Sequence, residues 1–219
     1  ADFEELLLTI QNSVVNNTSA KAALDIALHD LVAKSMHQPL YKFLGGGKPE
    51  LKILTTVSVK AVTEMVEDAQ LFVAQGFETL KIKVGLNPAE DIQRLKAIRE
   101  AVGDSISILS DANQGWDAKS ALQIIDSLAA HNLGIAMVEQ PVKAWDYANL
   151  KYVRDNSRIP IYADESAFNL RDVSKIIQAQ MADGINIKLM KSGGLYAARP
   201  IYDLATSHNL PCMEGCMLE

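Results

Sequence analysis

The chain has 219 residues, of which 48% are hydrophobic and 22% are charged. This length and composition are typical of a folded globular protein with a sizeable core and exclude a disordered chain. The net charge of −6 argues against a nucleic-acid-binding protein, because no stretch of the sequence concentrates basic residues. No apolar run approaches the roughly 20 residues that span a bilayer, and the N-terminal stretch lacks the basic start of a signal peptide. We therefore expect a cytoplasmic protein without membrane or nucleic-acid partners.

The first predicted element is an amphipathic helix over residues 18–36. Thr18 or Ser19 can cap its N-terminus. Its apolar side at helical spacing consists of Ala23, Leu24, Ala27, Leu28 and Leu31. A linker rich in proline and glycine follows, which indicates a boundary near residues 45–50.

From residue 52 onward, strand-like and helix-like segments alternate. Apolar, β-branched runs predict seven strands, at ILTTVSV, TLKIKV, ISILSDA, IAMVEQP, IPIYADES, INIKLM and PCMEGCMLE. Helical patterns lie between all of them. This alternation predicts parallel strands in βα units, and closing the sheet gives a TIM-type barrel. Because such a barrel has eight strands, we expect the eighth strand to lie outside this sequence.

Five charged residues lie at or near the ends of consecutive predicted strands, at intervals of 24 to 28 residues. They are Lys83, Asp111, Glu139, Asp164 and Lys188. In a closed parallel barrel, the C-terminal ends of the strands meet at one mouth, where barrel enzymes carry their active sites. We therefore expect these side chains to converge.

Asp111, Glu139 and Asp164 are candidate metal ligands. Carboxylates are depleted in strands and costly to bury without compensation, so three of them after apolar strands predict a shared cation. Oxygen donors favour Mg²⁺, with Mn²⁺ as the alternative. A simpler interpretation, in which each acid caps the next helix, fits Asp111 and Asp164 individually. The histidines are scattered along the sequence, at His29, His37, His131 and His208. We expect them at the surface or at helix ends, so no zinc site is predicted.

Three lysines are candidate acid–base groups. Lys81 and Lys83 share one face of a strand, and like charges beside a cation would lower a lysine pKa and so suit it to act as a base. The alternative is a solvated pair on an exposed strand. Lys188 ends the sixth strand, opposite the second strand of an eight-stranded barrel. Two lysines on opposite sides of a substrate can remove a proton on one side and return one on the other. For Lys191, by contrast, we expect a structural role.

The motifs around these residues resemble the muconate-lactonizing subgroup of the enolase superfamily, and within it the dipeptide epimerases of the L-Ala-D/L-Glu type. The similar segments are SAKAALDIALHDLVAKSMHQPLYKFLGG, LKIKVG, DANQGW, VEQP, ADES, NIKLMKSGG and GCMLE. The resemblance implies a (β/α)7β barrel over residues 49–219, truncated before its last strand. It also implies that residues 1–48 are the C-terminal helical part of an α+β capping domain.

The resemblance implies roles for individual residues. The implied Mg²⁺ ligands are Asp111, Glu139 and Asp164. The implied acid–base catalysts, on opposite faces of the α-carbon, are Lys83 and Lys188. Lys81 would tune Lys83 and approach the substrate carboxylate, and Asn113 and Glu165 would support the metal ligands. Thr56, which ends the first strand, is a candidate substrate contact.

The implied reaction is removal and return of the proton next to a carboxylate, through an enediolate whose charge Mg²⁺ would neutralise. The implied substrate is a small carboxylate such as the dipeptide L-Ala-D/L-Glu, and we expect a homo-oligomer. Muconate cycloisomerase, o-succinylbenzoate synthase and N-acylamino-acid racemase activities are alternatives within the subgroup. A Schiff-base lyase or aldolase and a non-catalytic barrel are alternatives from other classes. We expect the isolated chain to be inactive, because the capping loops and one strand lie outside it.

Overall fold

The computed structural model describes residues 2–47 and 50–217. Two compact units can be distinguished. The larger unit comprises residues 52–166 and 175–185, and the smaller unit comprises the described parts of 1–51, 167–174 and 186–219. The domain boundary predicted between residues 48 and 49 falls on two residues outside the described part, so it stays a prediction. None of the helices among the described residues is long and apolar enough to cross a membrane.

Helices and strands alternate through most of the chain. In chain order, the described elements are α1 (Phe3–Asn12), α2 (Thr18–Ser35), α3 (Leu40–Phe43), β1 (Thr55–Val57), α4 (Val62–Ala74), β2 (Thr79–Lys83), α5 (Pro88–Val102), β3 (Ser107–Asp111), α6 (Ala118–Ala130), β4 (Ile135–Glu139), α7 (Tyr147–Asn156), β5 (Ile161–Ala163), α8 (Leu170–Ala179), β6 (Gly184–Ile187), α9 (Leu189–Ser192), α10 (Leu195–Ser207) and β7 (Cys212–Glu214). All seven predicted strands are present. The short helices α1, α3 and α9 were not predicted.

The sheet of the larger unit is parallel from β1 to the start of β6, and each strand pairs with the next one in the chain. Its strands are apolar along most of their length, with Leu80, Ile82, Ile108 and Val138 fully buried. Such continuous burial is expected for parallel strands that are covered on both faces. The α/β architecture predicted from the sequence is therefore confirmed.

Side-chain caps explain where three of the connecting helices begin. Asn87 accepts hydrogen bonds from Ala89 N and Glu90 N at the start of α5. Asp117 caps α6 and Asp146 caps α7 in the same way. Each cap satisfies backbone N–H groups that have no partner inside the helix, so each helix starts a few residues after the strand that precedes it.

The buried side of α2, in the smaller unit, differs from the predicted one. The buried residues are Ala22, Asp25, His29 and Ala33. By contrast, Leu24 and Leu31 of the predicted apolar side are 59% and 64% exposed. The apolar pattern therefore predicted the wrong side of this helix, and the surface position predicted for His29 is also wrong.

The cause is the carboxylate of Asp25. It lies 3.1 Å from His29 Nδ1 and accepts hydrogen bonds from Leu195 N at 2.7 Å and Tyr196 N at 3.3 Å. These two amides open α10. Because a buried carboxylate needs charged or hydrogen-bonding partners, α2 turns this polar side inward.

The end of β6 and strand β7 also belong to the smaller unit. Gly215 N donates to Ile187 O at 2.9 Å, directly after β7. Glu214, a charge that the sequence pattern does not explain, is exposed at the end of β7. Lys191 is buried, and its ammonium group donates to Asn186 O at 2.6 Å, as expected for a structural role.

Arg99 ties three backbone segments together at the N-terminal edge of the larger unit's sheet. Its side chain is buried and donates to four carbonyl oxygens, those of Gly103, Ile106, Leu133 and Gly134. Ile106 immediately precedes β3, and Gly134 immediately precedes β4. One guanidinium group therefore holds the end of α5 against the starts of two neighbouring strands.

We predict that Arg99→Leu lowers the free energy of unfolding by about 3 kcal/mol, because four carbonyl groups lose their donor, and those of Ile106 and Leu133 are buried. Urea denaturation of both proteins measures the change. The matched control is Arg158→Leu at an exposed position, for which a change within about 0.5 kcal/mol is expected. Equal stability of the two variants would contradict the role given to Arg99.

Candidate active site

Four of the five predicted charged residues lie at the C-terminal edge of the larger unit's sheet. Lys83, Asp111 and Glu139 are the last residues of β2, β3 and β4, and they pair with one another in register. Asp164 directly follows β5. Lys188 directly follows β6 but belongs to the smaller unit, so its approach to the other four stays a prediction.

The ammonium groups of Lys81 and Lys83 meet on the carboxylate of Asp111. Its Oδ2 atom lies 2.9 Å from Lys81 Nζ and 2.6 Å from Lys83 Nζ. Lys81 Nζ also lies 2.8 Å from Glu139 Oε1. The two lysines therefore share one face of β2, as their spacing predicts. Both carboxylates are completely buried.

The electrostatics of this charged cluster, which consists of Lys81, Lys83, Asp111, Glu139 and Asp164, shift the pKa values of Glu139 and Lys81. Burial and the negative charges of Asp111 and Asp164 together raise the pKa of Glu139 to about 7. The positive charge of Lys81 offsets only part of this rise. Burial by itself lowers the pKa of Lys81, but the carboxylates of Glu139 and Asp111 reverse this, and the pKa is raised. In the metal-free protein the pKa of Lys81 is thus raised, because its nearest charged neighbours are anions; the lowered lysine pKa expected beside a cation stays a prediction. Both shifts favour the protonated form of the group concerned.

Asn113 connects Lys83 to the turn after β5. Its Oδ1 atom accepts a hydrogen bond from Lys83 Nζ at 2.5 Å, and its Nδ2 donates to Glu165 Oε1 at 3.2 Å. Its backbone N–H donates to Asp111 Oδ1 at 2.9 Å. The residue has a φ of +42°, a left-handed conformation that asparagine tolerates better than most residues. The structure therefore brings Asn113 and Glu165 into the cluster.

Gln140 is a site residue that the sequence reasoning missed. Its side chain is fully buried, and Oε1 accepts from Asp164 N at 2.9 Å and Ser166 N at 3.0 Å. Its Nε2 donates to Val142 O and to Ser166 Oγ. The amide thereby fixes the backbone of Asp164 relative to the end of β4. The only signal in the sequence is an amide residue directly after a strand-ending acid.

Thr56 is the one predicted substrate contact outside the charged cluster. It lies in β1 as the backbone partner of Lys81, so both side chains point to the same face of the sheet. The side chain of Thr56 is exposed. It is accessible beside the lysines, and its role stays a prediction.

The donor atoms of the cluster match the chemistry of Mg²⁺. They are carboxylate oxygens, which Mg²⁺ prefers. Burial and the negative charges of Asp111 and Asp164 raise the pKa of Glu139, and a bound cation would offset this effect. Across residues 2–47 and 50–217, however, no group of three or more His, Cys, Asp or Glu side chains is arranged to hold a metal ion. Lysine ammonium groups occupy carboxylate oxygens of Asp111 and Glu139. The donor set fits the ion, and the assignment of three ligands stays a prediction.

Comparisons with known proteins cover nearly the whole chain. The family described as Enolase C-terminal domain-like matches residues 64–219. The N-terminal domain of the mandelate racemase/muconate lactonizing enzyme family matches residues 1–45. The chain is 47% identical to the L-Ala-D/L-Glu epimerase of Clostridium acetobutylicum over 218 residues, which are 100% of this chain and 61% of that protein.

Solved structures give the same result. The chain superimposes with a TM-score of 0.96 and 45% identity on a substrate-liganded complex of the L-Ala-D/L-Glu epimerase from Bacillus subtilis, covering 99% of this chain and 61% of that one. The dipeptide epimerase from Cytophaga hutchinsonii, solved with Mg and the dipeptide D-Ala-L-Val, gives a TM-score of 0.94 at 38% identity, covering 99% of this chain and 59% of that one. The chain thus spans about three fifths of the length of these relatives.

The raised pKa of Glu139 predicts how the stability of the metal-free protein depends on pH. The ordinary pKa of this carboxyl is 4.5, whereas the folded value is about 7, so the folded protein holds the proton more tightly. The contribution to stability is fully present below pH 4.5 and is lost as the pH rises through about 7. Relative to Glu139→Gln, we expect the wild type to lose as much as about 3 kcal/mol over this range.

Urea denaturation in EDTA, at several pH values between 4 and 8, measures this difference. The matched control is Glu67→Gln, an exposed residue of α4, whose stability curve should run parallel to that of the wild type. A constant difference between the wild type and Glu139→Gln across the range would contradict the raised pKa.

Proposed function

This chain belongs to the enolase superfamily, in its mandelate racemase and muconate lactonizing branch, and on that premise we propose that it epimerises a dipeptide in a Mg²⁺-dependent reaction. The superfamily and its barrel fold are those predicted from the motifs. One observation supports the reaction above all others: Lys83, Asp111 and Glu139 end three neighbouring strands in register. A base and two anionic groups thereby stand together at the edge where barrels of this type carry their active sites.

In the proposed reaction, Lys83 removes the proton from the α-carbon next to the substrate carboxylate, and Lys188 donates a proton to the opposite face. In the reverse direction the two lysines exchange these tasks. Bound Mg²⁺, held by Asp111, Glu139 and Asp164, would stabilise the negative charge that develops on the carboxylate. Mn²⁺ is the alternative ion, because the donor atoms suit both.

Supporting groups keep this arrangement in place. Lys81 faces the two carboxylates of β3 and β4 and supplies a fixed positive charge near the place proposed for the substrate carboxylate. Asn113 orients the ammonium group of Lys83 through its 2.5 Å contact, and Glu165 orients Asn113 in turn. Thr56 is proposed as a substrate contact, because its accessible side chain shares a face with Lys81.

We propose a dipeptide of the L-Ala-D/L-Glu type as the substrate, because the similar proteins reported above are epimerases of dipeptides. Three rival substrates exist within the subgroup. The first is muconate, the second is the compound from which o-succinylbenzoate is formed, and the third is an N-acylamino acid. A cytoplasmic location and a homo-oligomeric state are further proposals, which rest on the sequence.

The test of the reaction is exchange of the α-proton in D₂O, followed by ¹H NMR. Because the relatives are longer than this chain, the assay uses the whole protein, including any residues that flank positions 1–219. We expect L-Ala-L-Glu to lose its α-proton signal and a diastereomer to appear, both abolished by EDTA and restored by Mg²⁺. Exchange with N-acylamino acids only would favour the racemase alternative, and trapping by borohydride without any metal requirement would favour a Schiff-base enzyme. Absence of exchange with every dipeptide would overturn the proposal.

The metal ligands are tested separately by titration calorimetry with Mg²⁺. We expect Asp164→Asn to weaken the affinity at least about tenfold, because removing a ligand should cost no less than removing a group that only orients one. The matched control is Asp203→Asn, an exposed position on α10, which should bind Mg²⁺ as the wild type does. Equal affinities of the two variants would exclude Asp164 as a ligand.

A further inference from the structure

Asp91 lies near the start of α5, in the larger unit and outside the charged cluster. Its carboxylate accepts three hydrogen bonds. It is fully buried. Its Oδ2 atom accepts hydrogen bonds from Gly85 N at 2.8 Å and from Trp116 Nε1 at 3.0 Å. Its Oδ1 atom accepts from Arg94 Nη1 at 2.9 Å. An acid near the start of a helix ordinarily faces solvent and interacts weakly with the helix dipole, so burial with three donors calls for another explanation.

The two donors on Oδ2 belong to different turns, and each turn follows a strand that ends in a site residue. Gly85 lies two residues after Lys83, in the turn from β2 to α5. Trp116 lies three residues after Asn113, in the turn from β3 to α6. A single carboxylate oxygen of Asp91 therefore holds together the turn that follows the proposed base and the turn that contains Asn113, a hydrogen-bonding partner of that base.

The two turns also touch through their backbones. Val84 N donates to Asp111 O at 2.9 Å, which continues the sheet ladder one residue beyond the end of β2. A side chain at Gly85 would overlap the carbonyl oxygen of Ala112, and one at Gly115 would overlap that of Gly85. The absence of a Cβ atom at both positions lets the turns approach closely, so a small displacement of either turn is transmitted to the other.

From this geometry we infer that Asp91 is a positioning residue for the proposed reaction: by clamping Gly85 to Trp116, it fixes Lys83 against Asp111 and Asn113. The inference rests on the proposed function, because it assigns Asp91 to the acid–base step of Lys83. Asp91 itself touches none of the reacting groups. Its loss would displace Lys83 more than the other proposed base, Lys188, which follows a different strand.

Two substitutions weaken the hydrogen bonds between Asp91 and the two turns to different degrees. Asp91→Asn replaces one acceptor oxygen by a donor, so either Arg94 or the pair of Gly85 and Trp116 loses its partner. Trp116→Phe removes only the indole N–H and keeps an aromatic ring in the buried position. The matched control is Glu90→Gln, one residue before Asp91, whose side chain is 53% exposed and pairs with Arg94.

The readout is α-proton exchange in D₂O, measured for each of two substrate epimers separately in the whole protein. Exchange in Lys83→Ala and in Lys188→Ala first identifies which epimer depends on which lysine. We expect Asp91→Asn to slow exchange of the Lys83-dependent epimer about tenfold more than exchange of the other epimer, because sub-ångström misplacement of a catalytic group is costly. Trp116→Phe should shift the ratio in the same direction by a smaller factor, and Glu90→Gln should leave it unchanged.

The outcomes separate this inference from the proposed function. Suppose that the wild type exchanges the α-proton of both epimers. If the two variants then slow exchange of both epimers equally, or slow exchange of neither, Asp91 has only a structural role. In that case the inference fails and the proposed function stands. If the wild type exchanges neither epimer, the proposed function fails and takes the inference with it. Circular dichroism and thermal melting identify a variant that does not fold; should Asp91→Asn be one, Trp116→Phe decides the question, and an unchanged epimer ratio there overturns the inference.

Discussion

The contact of two lysine ammonium groups with one buried carboxylate is the interaction on which the rest of the site depends. Asp111 ends a strand whose preceding residues are apolar, and it has no access to water. A carboxylate in that position is tolerated only with positive charge beside it, which Lys81 and Lys83 supply at 2.9 and 2.6 Å. The register of β2 against β3 brings both lysines to the side of the sheet that carries this carboxylate, and the ion pairs hold their ammonium groups there.

Burying several carboxylates side by side has an electrostatic cost, which is visible at Glu139. Glu139 shares Lys81 with Asp111, and burial together with the neighbouring acids raises the pKa of Glu139 to about 7. A cluster that retains a proton near neutral pH also attracts a cation, because both reduce the same electrostatic cost. A cation bound by this cluster, as proposed above, would therefore reduce that cost.

Much of the architecture could be predicted from the sequence, because its determinants are local. Apolar β-branched runs predicted all seven strands, and the start of α5 is likewise local, because the side chain of Asn87 caps it. The failures have the opposite character. Asp25 turns α2 inward through a bond to Leu195, which is 170 residues away along the chain. Gln140 similarly acts on Ser166, which is 26 residues away, and no pattern around either residue reveals its partner.

Helix α5 carries a buried charged residue near each end, and the two residues bond to opposite edges of the sheet. Near its C-terminal end, Arg99 bonds to the carbonyl groups of residues that precede β3 and β4, at the edge of the sheet far from the charged cluster. Near its N-terminal end, Asp91 bonds to the turns that follow β2 and β3, at the edge that carries Lys83 and Asp111. Both residues are buried charged groups whose bonds cross between elements, so both contribute to folding. Only the bonds of Asp91 reach the turns beside the proposed base, and a change there alters the position of Lys83 as well as the stability of the fold. In a parallel sheet this division is a consequence of direction, because every strand presents its start to one edge and its end to the other.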